Sequence, residues 1–201
     1  MYRQNRDVAE IVTWVCWTVV VVTWVVGAVY GARNRRSLPQ TGSGSGTLWR
    51  VGSVVAGLLI YRLGRHGLQR TTDHSWWIEL PGLVLLVTST AFTIWARVRL
   101  GRMWSASPNV LQAGHELRTD GPYSVTRHPI YTGLLGMLLG SVLLNGLGAS
   151  LALLVVGTLV LATRIPIEER LMSKTFPNEY ARYRKRVPRL LPSLRLLRRS
   201  H

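Results

Sequence analysis

Long apolar runs constrain the fold of this chain more than any other feature of its sequence. The first run, residues 11–32, holds 22 residues without a charged side chain, and about 20 such residues suffice for a helix to cross a hydrocarbon core roughly 30 Å thick. Four more apolar runs follow, at about 48–61, 76–96, 131–144 and 147–163. We therefore predict an all-α integral membrane protein with about five transmembrane helices.

The charge of the chain agrees with a membrane location. Its 25 Lys and Arg against 9 Asp and Glu give a net charge of +16, and these charges cluster between and after the apolar runs. Such clusters are typical of the positive-inside rule and of attraction to anionic lipid headgroups. No nucleic-acid-binding motif accompanies the charge, so we do not expect a nucleic-acid partner. The one cysteine, Cys16, lies within the first run and excludes a disulfide framework.

The distribution of charge also predicts the topology. The chain after Tyr180 carries eight Lys and Arg and no acidic residue, so we place the C-terminus in the cytoplasm. The short uncharged turn at 145–148 is then outside, and with five spans the N-terminus is outside too. The weakest span is 48–61, bracketed by Arg50 and Arg62. Without it all seven arginines from 33 to 70 would lie outside, so we favour five spans.

We divide the chain into two regions. Residues 1–96 hold the first three spans, with a Gly/Ser linker at 41–47, and residues 97–201 form the predicted catalytic region. In that region a long polar loop, broken by glycines and prolines, is rich in Trp, His and Tyr, which is typical of a functional loop. The chain after the fifth span predicts a helix, a short turn near 176–178 and a basic amphipathic helix.

Two motifs at the ends of neighbouring spans should form one site. RHPIY, residues 127–131, opens the fourth span, and RIPIEE, residues 164–169, closes the fifth. Because the 145–148 turn is short, these spans are antiparallel neighbours and the two motifs converge at the membrane surface. Charged groups at that depth are expensive and indicate function.

The residues at this junction favour some ligands over others. We find no nucleophile elbow, dinucleotide-binding fingerprint or phosphate loop, and the His and Glu spacing does not predict a metal site. A carboxylate beside aromatic side chains in a Gly/Pro-rich loop suits a ligand with an amine or sulfonium, a ribose and a base. A sulfonium over a tyrosine face would make a cation–π contact.

Residues of about 100–192 resemble the isoprenylcysteine carboxyl methyltransferase family, within a wider group that includes phospholipid N-methyltransferases. The motifs that carry the resemblance are His115-Glu116-Leu117-Arg118, Gly121-Pro122-Tyr123, Arg127-His128-Pro129-Ile130-Tyr131-x-Gly133 and Arg164-x-x-x-Glu168-Glu169. Arg118 stands where the family has a small apolar residue. The resemblance implies an integral membrane enzyme that uses S-adenosyl-L-methionine and has its active site on the cytoplasmic side.

The resemblance also implies roles for individual residues. Arg164 and Glu168 would be catalytic, with Arg164 clamping a substrate carboxylate, and Trp104 and Glu169 would join Arg164 in binding the substrate. Cofactor contacts would fall on His115, Glu116, Leu117, Arg118, Tyr123, His128, Pro129, Ile130, Tyr131 and Glu168. A carboxylate nucleophile is already ionised at neutral pH, so methyl transfer to it would need no general base.

Other functions remain open at this point. The acceptor could be a lipid-like or prenylated carboxylate entering from the bilayer, a thiol, or the amine of a phospholipid. A membrane reductase that uses NADPH could carry a related motif, with Arg97, Arg99, Arg102 and Arg118 near the nicotinamide phosphate. A scaffold or transporter is a third class, although the spans hold no ionisable residue suited to an ion pathway.

Overall fold

A computed structural model of the protein describes residues 2–33, 76–101 and 117–191, with the side chains of the first range described over 8–27. These ranges form helices α1 (Tyr2–Arg33), α2 (Trp76–Leu100), α3 (Pro122–Val125), α4 (Pro129–Asn145), α5 (Ala149–Thr175) and α6 (Pro177–Arg186). The described ranges contain no strand. The prediction of an all-α fold is therefore confirmed.

The described helices match four of the five predicted spans. α1 over Val8–Gly27, α2 and α5 are each long and apolar enough to cross a bilayer. α4 is also apolar, and its 17 residues extend about 26 Å. By length and composition the chain is an integral membrane protein. The predicted second span, 48–61, and the Gly/Ser linker at 41–47 lie outside the described residues. The division of the chain into two regions at 96–97, which α2 crosses, stays a prediction.

α1 and α2 run in the same direction. Val8 and Ala9 near the start of α1 line a groove together with Trp76 and Leu80 at the start of α2. Toward the other end, Gly27 lies directly against the Arg97 side chain. The chain thus leaves α1 at one end of the bundle and enters α2 at the opposite end. Leu144 borders the same groove as Val8, so the N-terminal part of α1 and the α4–α5 turn share one end, as the predicted topology requires.

α4 packs antiparallel to α2 at very short range. A side chain at Gly133 would overlap the Thr93 hydroxyl, and a Cβ at Gly140 would lie 2.9 Å from the Leu86 backbone nitrogen. Both contacts need residues without a Cβ, because only then can the two backbones approach this closely. Gly133 thus packs closely against α2 at the start of the fourth predicted span.

α1 joins this pair through a small core and one hydrogen bond. Cys16 and Val20 pack with Leu86, Met137 and Leu144, and the indole Nε1 of Trp17 donates to Ser141 Oγ at 3.1 Å. The outer surface of the bundle is apolar, with exposed side chains that include Val15, Val22, Val26, Trp77, Val84, Val155 and Leu159. Lipid tails are the natural environment for such a surface.

The C-terminal helices are arranged as the sequence predicts. α5 runs through Pro166 to Thr175, so the proline removes one backbone donor without ending the helix. Phe176 separates α5 from α6. The apolar face of α6, with Tyr180, Tyr183 and Val187, packs against Leu117, Met172 and Phe176. Because this face is covered by the protein itself, α6 turns its basic side chains outward.

Candidate functional site

The start of α4 and the end of α5 meet in one cluster of polar side chains. Pro129 is the first residue of α4, a position where its missing N–H costs nothing. Two residues later, the Tyr131 hydroxyl donates a hydrogen bond to Glu168 Oε1. The predicted convergence of RHPIY with RIPIEE is confirmed.

His128 lies between the two glutamates of α5. Its Nδ1 is 3.7 Å from Glu168 Oε2, and its Nε2 is 3.4 Å from Glu169 Oε1. The imidazole is also stacked with the Tyr131 ring, with centroids 5.7 Å apart and planes inclined by 10°. A flat aromatic pair therefore stands next to a carboxylate, Glu168, whose side chain keeps 26% of its surface exposed.

Glu169 has a different environment from its neighbour. Its carboxylate is 2.9 Å from Arg127 Nη1 and 2.8 Å from Arg189 Nη2, and Arg189 Nε donates to its other oxygen at 3.3 Å. Only 6% of the residue is exposed. A buried carboxylate requires such pairing, because an isolated charge would be very costly to desolvate.

The chain after α6 folds back along the loop that precedes α4. The Arg127 backbone nitrogen donates to Pro188 O at 2.9 Å, and that of His128 donates to Arg189 O at 3.2 Å. Two threonine hydroxyls extend the pairing, Thr126 to Arg189 O at 2.9 Å and Thr132 to Leu190 O at 2.6 Å. Hydrogen bonds from both the backbone and the side chains of the loop that carries His128 therefore hold it in place.

Tyr123 ties the same loop to α2 and α6. Gly121, with φ of +56°, immediately precedes the one-turn helix α3 that presents this side chain. The Tyr183 hydroxyl donates to Tyr123 O at 2.6 Å, and the Tyr123 hydroxyl lies 3.5 Å from Ala96 O. Burial is the main cause that raises the pKa of both phenols well above the usual value, and the neighbouring Tyr180 adds to the increase at Tyr183.

The remaining predicted residues fall into three groups. Arg164 is half-buried and interacts with Tyr131, and Pro129 is buried beside Ile130 at the start of α4. Leu117 packs on the α6 cluster, whereas Arg118 is exposed. Trp104, His115 and Glu116 lie outside the described residues. The ligand roles of all these residues stay predictions.

Sequence reasoning missed two members of the cluster, Arg127 and Arg189. Arg127 belongs to a motif that carries the family resemblance, and Arg189 lies within the range of about 100–192 that resembles the family, yet neither was assigned a role. Within the described ranges we find no group of three or more His, Cys, Asp and Glu side chains that could hold a metal. The site consists of two carboxylates in unlike surroundings, one neutralised by arginines and one facing an aromatic pair.

A sequence model of phospholipid methyltransferases matches residues 77–179, about half of the chain. Protein-S-isoprenylcysteine O-methyltransferase B of Arabidopsis thaliana is 32% identical over 119 residues, which cover 58% of this chain and 60% of the relative.

Two further relatives carry different names. The nickel-cobalt-cadmium resistance protein NccN of Alcaligenes xylosoxydans xylosoxydans is 32% identical over 157 residues, or 75% of this chain and 66% of the relative. The cobalt-zinc-cadmium resistance protein CzcN of Cupriavidus metallidurans is 39% identical over 107 residues, or 49% and 46%. This chain thus spans less than two thirds of the length of these three relatives.

Proposed function

Because this chain belongs to the phospholipid methyltransferase family, we propose that it is an integral membrane methyltransferase that acts on a lipid-like acceptor. The observation that carries this proposal is the contact of Tyr131 and His128 with Glu168. It joins an aromatic pair and a carboxylate at one end of the membrane helices. The relatives named isoprenylcysteine O-methyltransferases support the same reading.

S-adenosyl-L-methionine is the methyl donor that the residues fit best. A positively charged group of this cofactor would pair with a carboxylate, and its sulfonium would lie against an aromatic face. Glu168 offers the carboxylate, and the stacked rings of His128 and Tyr131 offer the aromatic surface. When bound, the cofactor supplies an activated methyl group. The other cofactor contacts predicted from the sequence are residues 115–118, Tyr123, Pro129 and Ile130.

Arg164 would orient the acceptor. A guanidinium binds a carboxylate with two parallel hydrogen bonds, which suits the clamping role expected of it. Its interaction with Tyr131 supports this role. Bringing the two reactants together in a water-poor site would supply most of the rate enhancement.

We propose the class of acceptor from the names of the relatives. The isoprenylcysteine O-methyltransferases point to a prenylated carboxylate, which we favour because Arg164 suits one. The family description points to a phospholipid amine as the second candidate. NccN and CzcN are named for metal resistance, and that property is stated of those two relatives only. The matched family favours methyl transfer over the reductase considered from the sequence.

We also propose that the site faces the cytoplasm, with the N-terminus outside. The outward basic side chains of α6, including Arg182, Arg184, Lys185 and Arg186, would then lie near anionic headgroups of the inner leaflet.

Binding of S-adenosyl-L-methionine to purified protein in detergent tests the assignment. Calorimetry should detect binding to the wild type and greatly weakened binding to His128→Ala and Glu168→Ala. Unchanged affinity in both variants would contradict the site. Mass spectrometry of lipid extracts incubated with enzyme and cofactor should then reveal the acceptor as the species that gains one CH₂ group. Prenylcysteine and phospholipid fractions, assayed separately, decide between the two candidates.

A further inference from the structure

Glu169 has little capacity left for a ligand. One carboxylate oxygen, Oε1, is shared by Arg127 Nη1 at 2.9 Å and Arg189 Nε at 3.3 Å. The other, Oε2, accepts from Arg189 Nη2 at 2.8 Å. The residue is 6% exposed. Its two oxygens are therefore committed to the protein, unlike those of the more open Glu168.

The three residues Arg127, Glu169 and Arg189, which we call the clasp, join parts of the chain that are distant in sequence. Arg127 lies before α4, Glu169 lies in α5, and Arg189 follows α6. The backbone of Pro188 and Arg189 is paired with the amides of Arg127 and His128, and the fully buried Thr126 donates to Arg189 O at 2.9 Å. Side-chain charges and backbone hydrogen bonds thus secure the same junction.

His128 is the residue that this junction orients. Its backbone nitrogen is fixed by Arg189 O, and its Nε2 lies 3.4 Å from Glu169, within the clasp. The opposite ring nitrogen faces Glu168. The orientation of the imidazole, and hence its stacking on Tyr131, depends on where the clasp holds Glu169.

We propose that the clasp is a positioning unit, in which Glu169 anchors the segment after α6 and sets the orientation of His128 without touching the substrate. This inference rests on the proposed function and assigns to Glu169 a different role from the substrate contact predicted from the sequence. Arg127 and Arg189 become positioning residues that act through His128.

Arg189→Ala is the informative variant. The Arg189 side chain is 54% exposed, and Glu169 keeps its contact with Arg127, whose side chain is 9% exposed, when Arg189 is removed. The variant should therefore fold. Arg186→Ala is the matched control, because Arg186 is an exposed arginine at the end of α6, three residues before Arg189. Arg189→Lys restores the charge without the two-pronged geometry.

Two measurements on the full-length protein in detergent test the proposal. Hydrogen exchange without cofactor should show faster exchange at the amides of Arg127 and His128 in Arg189→Ala, and unchanged exchange in α2. Calorimetry should show that the affinity for S-adenosyl-L-methionine falls by about 10- to 100-fold, as expected when a binding group is displaced. Arg189→Lys should recover part of both effects, and Arg186→Ala should match the wild type.

The outcomes separate this inference from the proposed function. Faster exchange at 127 and 128 with unchanged cofactor affinity would overturn the positioning role, and so would unchanged exchange. If the wild type fails to bind the cofactor, the proposed function is wrong. The inferred anchoring is then judged on exchange alone, which needs no ligand. A melting temperature of Arg189→Ala close to that of the wild type would show that lost affinity is not a result of unfolding.

Discussion

The Tyr131 hydroxyl donates to the Glu168 carboxylate, and this single hydrogen bond joins the first turn of α4 to the last part of α5. The two residues are 37 positions apart, yet the short α4–α5 turn returns the chain to the same level. A phenol that holds a carboxylate in this way fixes where negative charge is presented to a ligand.

Tyr131→Phe should weaken binding of S-adenosyl-L-methionine while leaving the helices intact. The variant removes one hydrogen bond to a charged acceptor, worth about 1.5–3 kcal/mol, which corresponds to a loss of affinity of about 10- to 100-fold. Calorimetry checks the result. Thr158→Val is the control, since it removes an exposed hydroxyl that bonds only within α5. Equal affinity in Tyr131→Phe and the wild type would show that the hydroxyl does not organise the site.

The adjacent glutamates should behave differently when each is replaced by glutamine. Glu169→Gln leaves the buried Arg127 guanidinium with a neutral partner, so we expect a loss of stability of about 3 kcal/mol or more. Glu168→Gln should keep its melting temperature within a few degrees and lose cofactor affinity instead. Thermal unfolding and calorimetry on both variants check this contrast. The idea of two distinct roles fails if both variants lose stability equally.

Gly140→Ala should destabilise the bundle. The added Cβ would lie 2.9 Å from the Leu86 backbone nitrogen and 3.0 Å from Gly82 O, and backbone atoms cannot move away cheaply. We expect a cost of about 1–3 kcal/mol, seen as a lower melting temperature.

Gly157→Ala is the matched control for this variant. Its new Cβ would meet only the flexible end of Leu138 at 2.8 Å, and alanine favours a helix over glycine by about 1 kcal/mol. It should therefore be neutral or stabilising. Similar melting temperatures for the two alanine variants would argue against tight α2–α4 packing.

Stability should fall in alkaline solution because of Tyr123 and Tyr183. Burial raises the pKa of both phenols in the folded protein. In the unfolded chain the pKa of tyrosine is about 10, so above this pH the unfolded chain loses these protons before the folded protein does. The free energy of unfolding should stay constant with respect to these groups from about pH 7 to 9 and decline above about pH 10.

The variant Tyr183→Phe tests the origin of that decline. It removes the donor to Tyr123 O, so it should be less stable at neutral pH and show a shallower alkaline decline. Melting curves across this pH range supply the measurement. A decline as steep as that of the wild type would assign the effect to other groups.

Much of this architecture was predictable from the sequence because the predictions rested on local signals. Apolar run length predicted the helices, and the basic amphipathic helix predicted after the turn near 176–178 is α6, whose Tyr180 and Tyr183 are buried. The short turn after Asn145 was enough to predict that His128 and Tyr131 lie near Glu168. The family resemblance is confirmed by the matched family and relatives.

The environment of Glu169 was not predictable in the same way. Its partners are set by a long-range pairing, in which the chain after α6 returns to residues 126–128. Neither helical periodicity nor charge spacing encodes such a pairing, and no role was assigned to Arg189 from the sequence. Glu169 was assigned a substrate contact from the sequence, because the partners that neutralise its carboxylate could not be predicted.

The shared direction of α1 and α2 has a consequence for how the protein is made. Two helices that enter the bilayer from the same side cannot insert together as a hairpin. The contacts of α1 within the bundle include those of Trp17 with Ser141 and of Cys16 with Met137 and Leu144. These contacts join α1 to α4, so they form only after α4 has been synthesised.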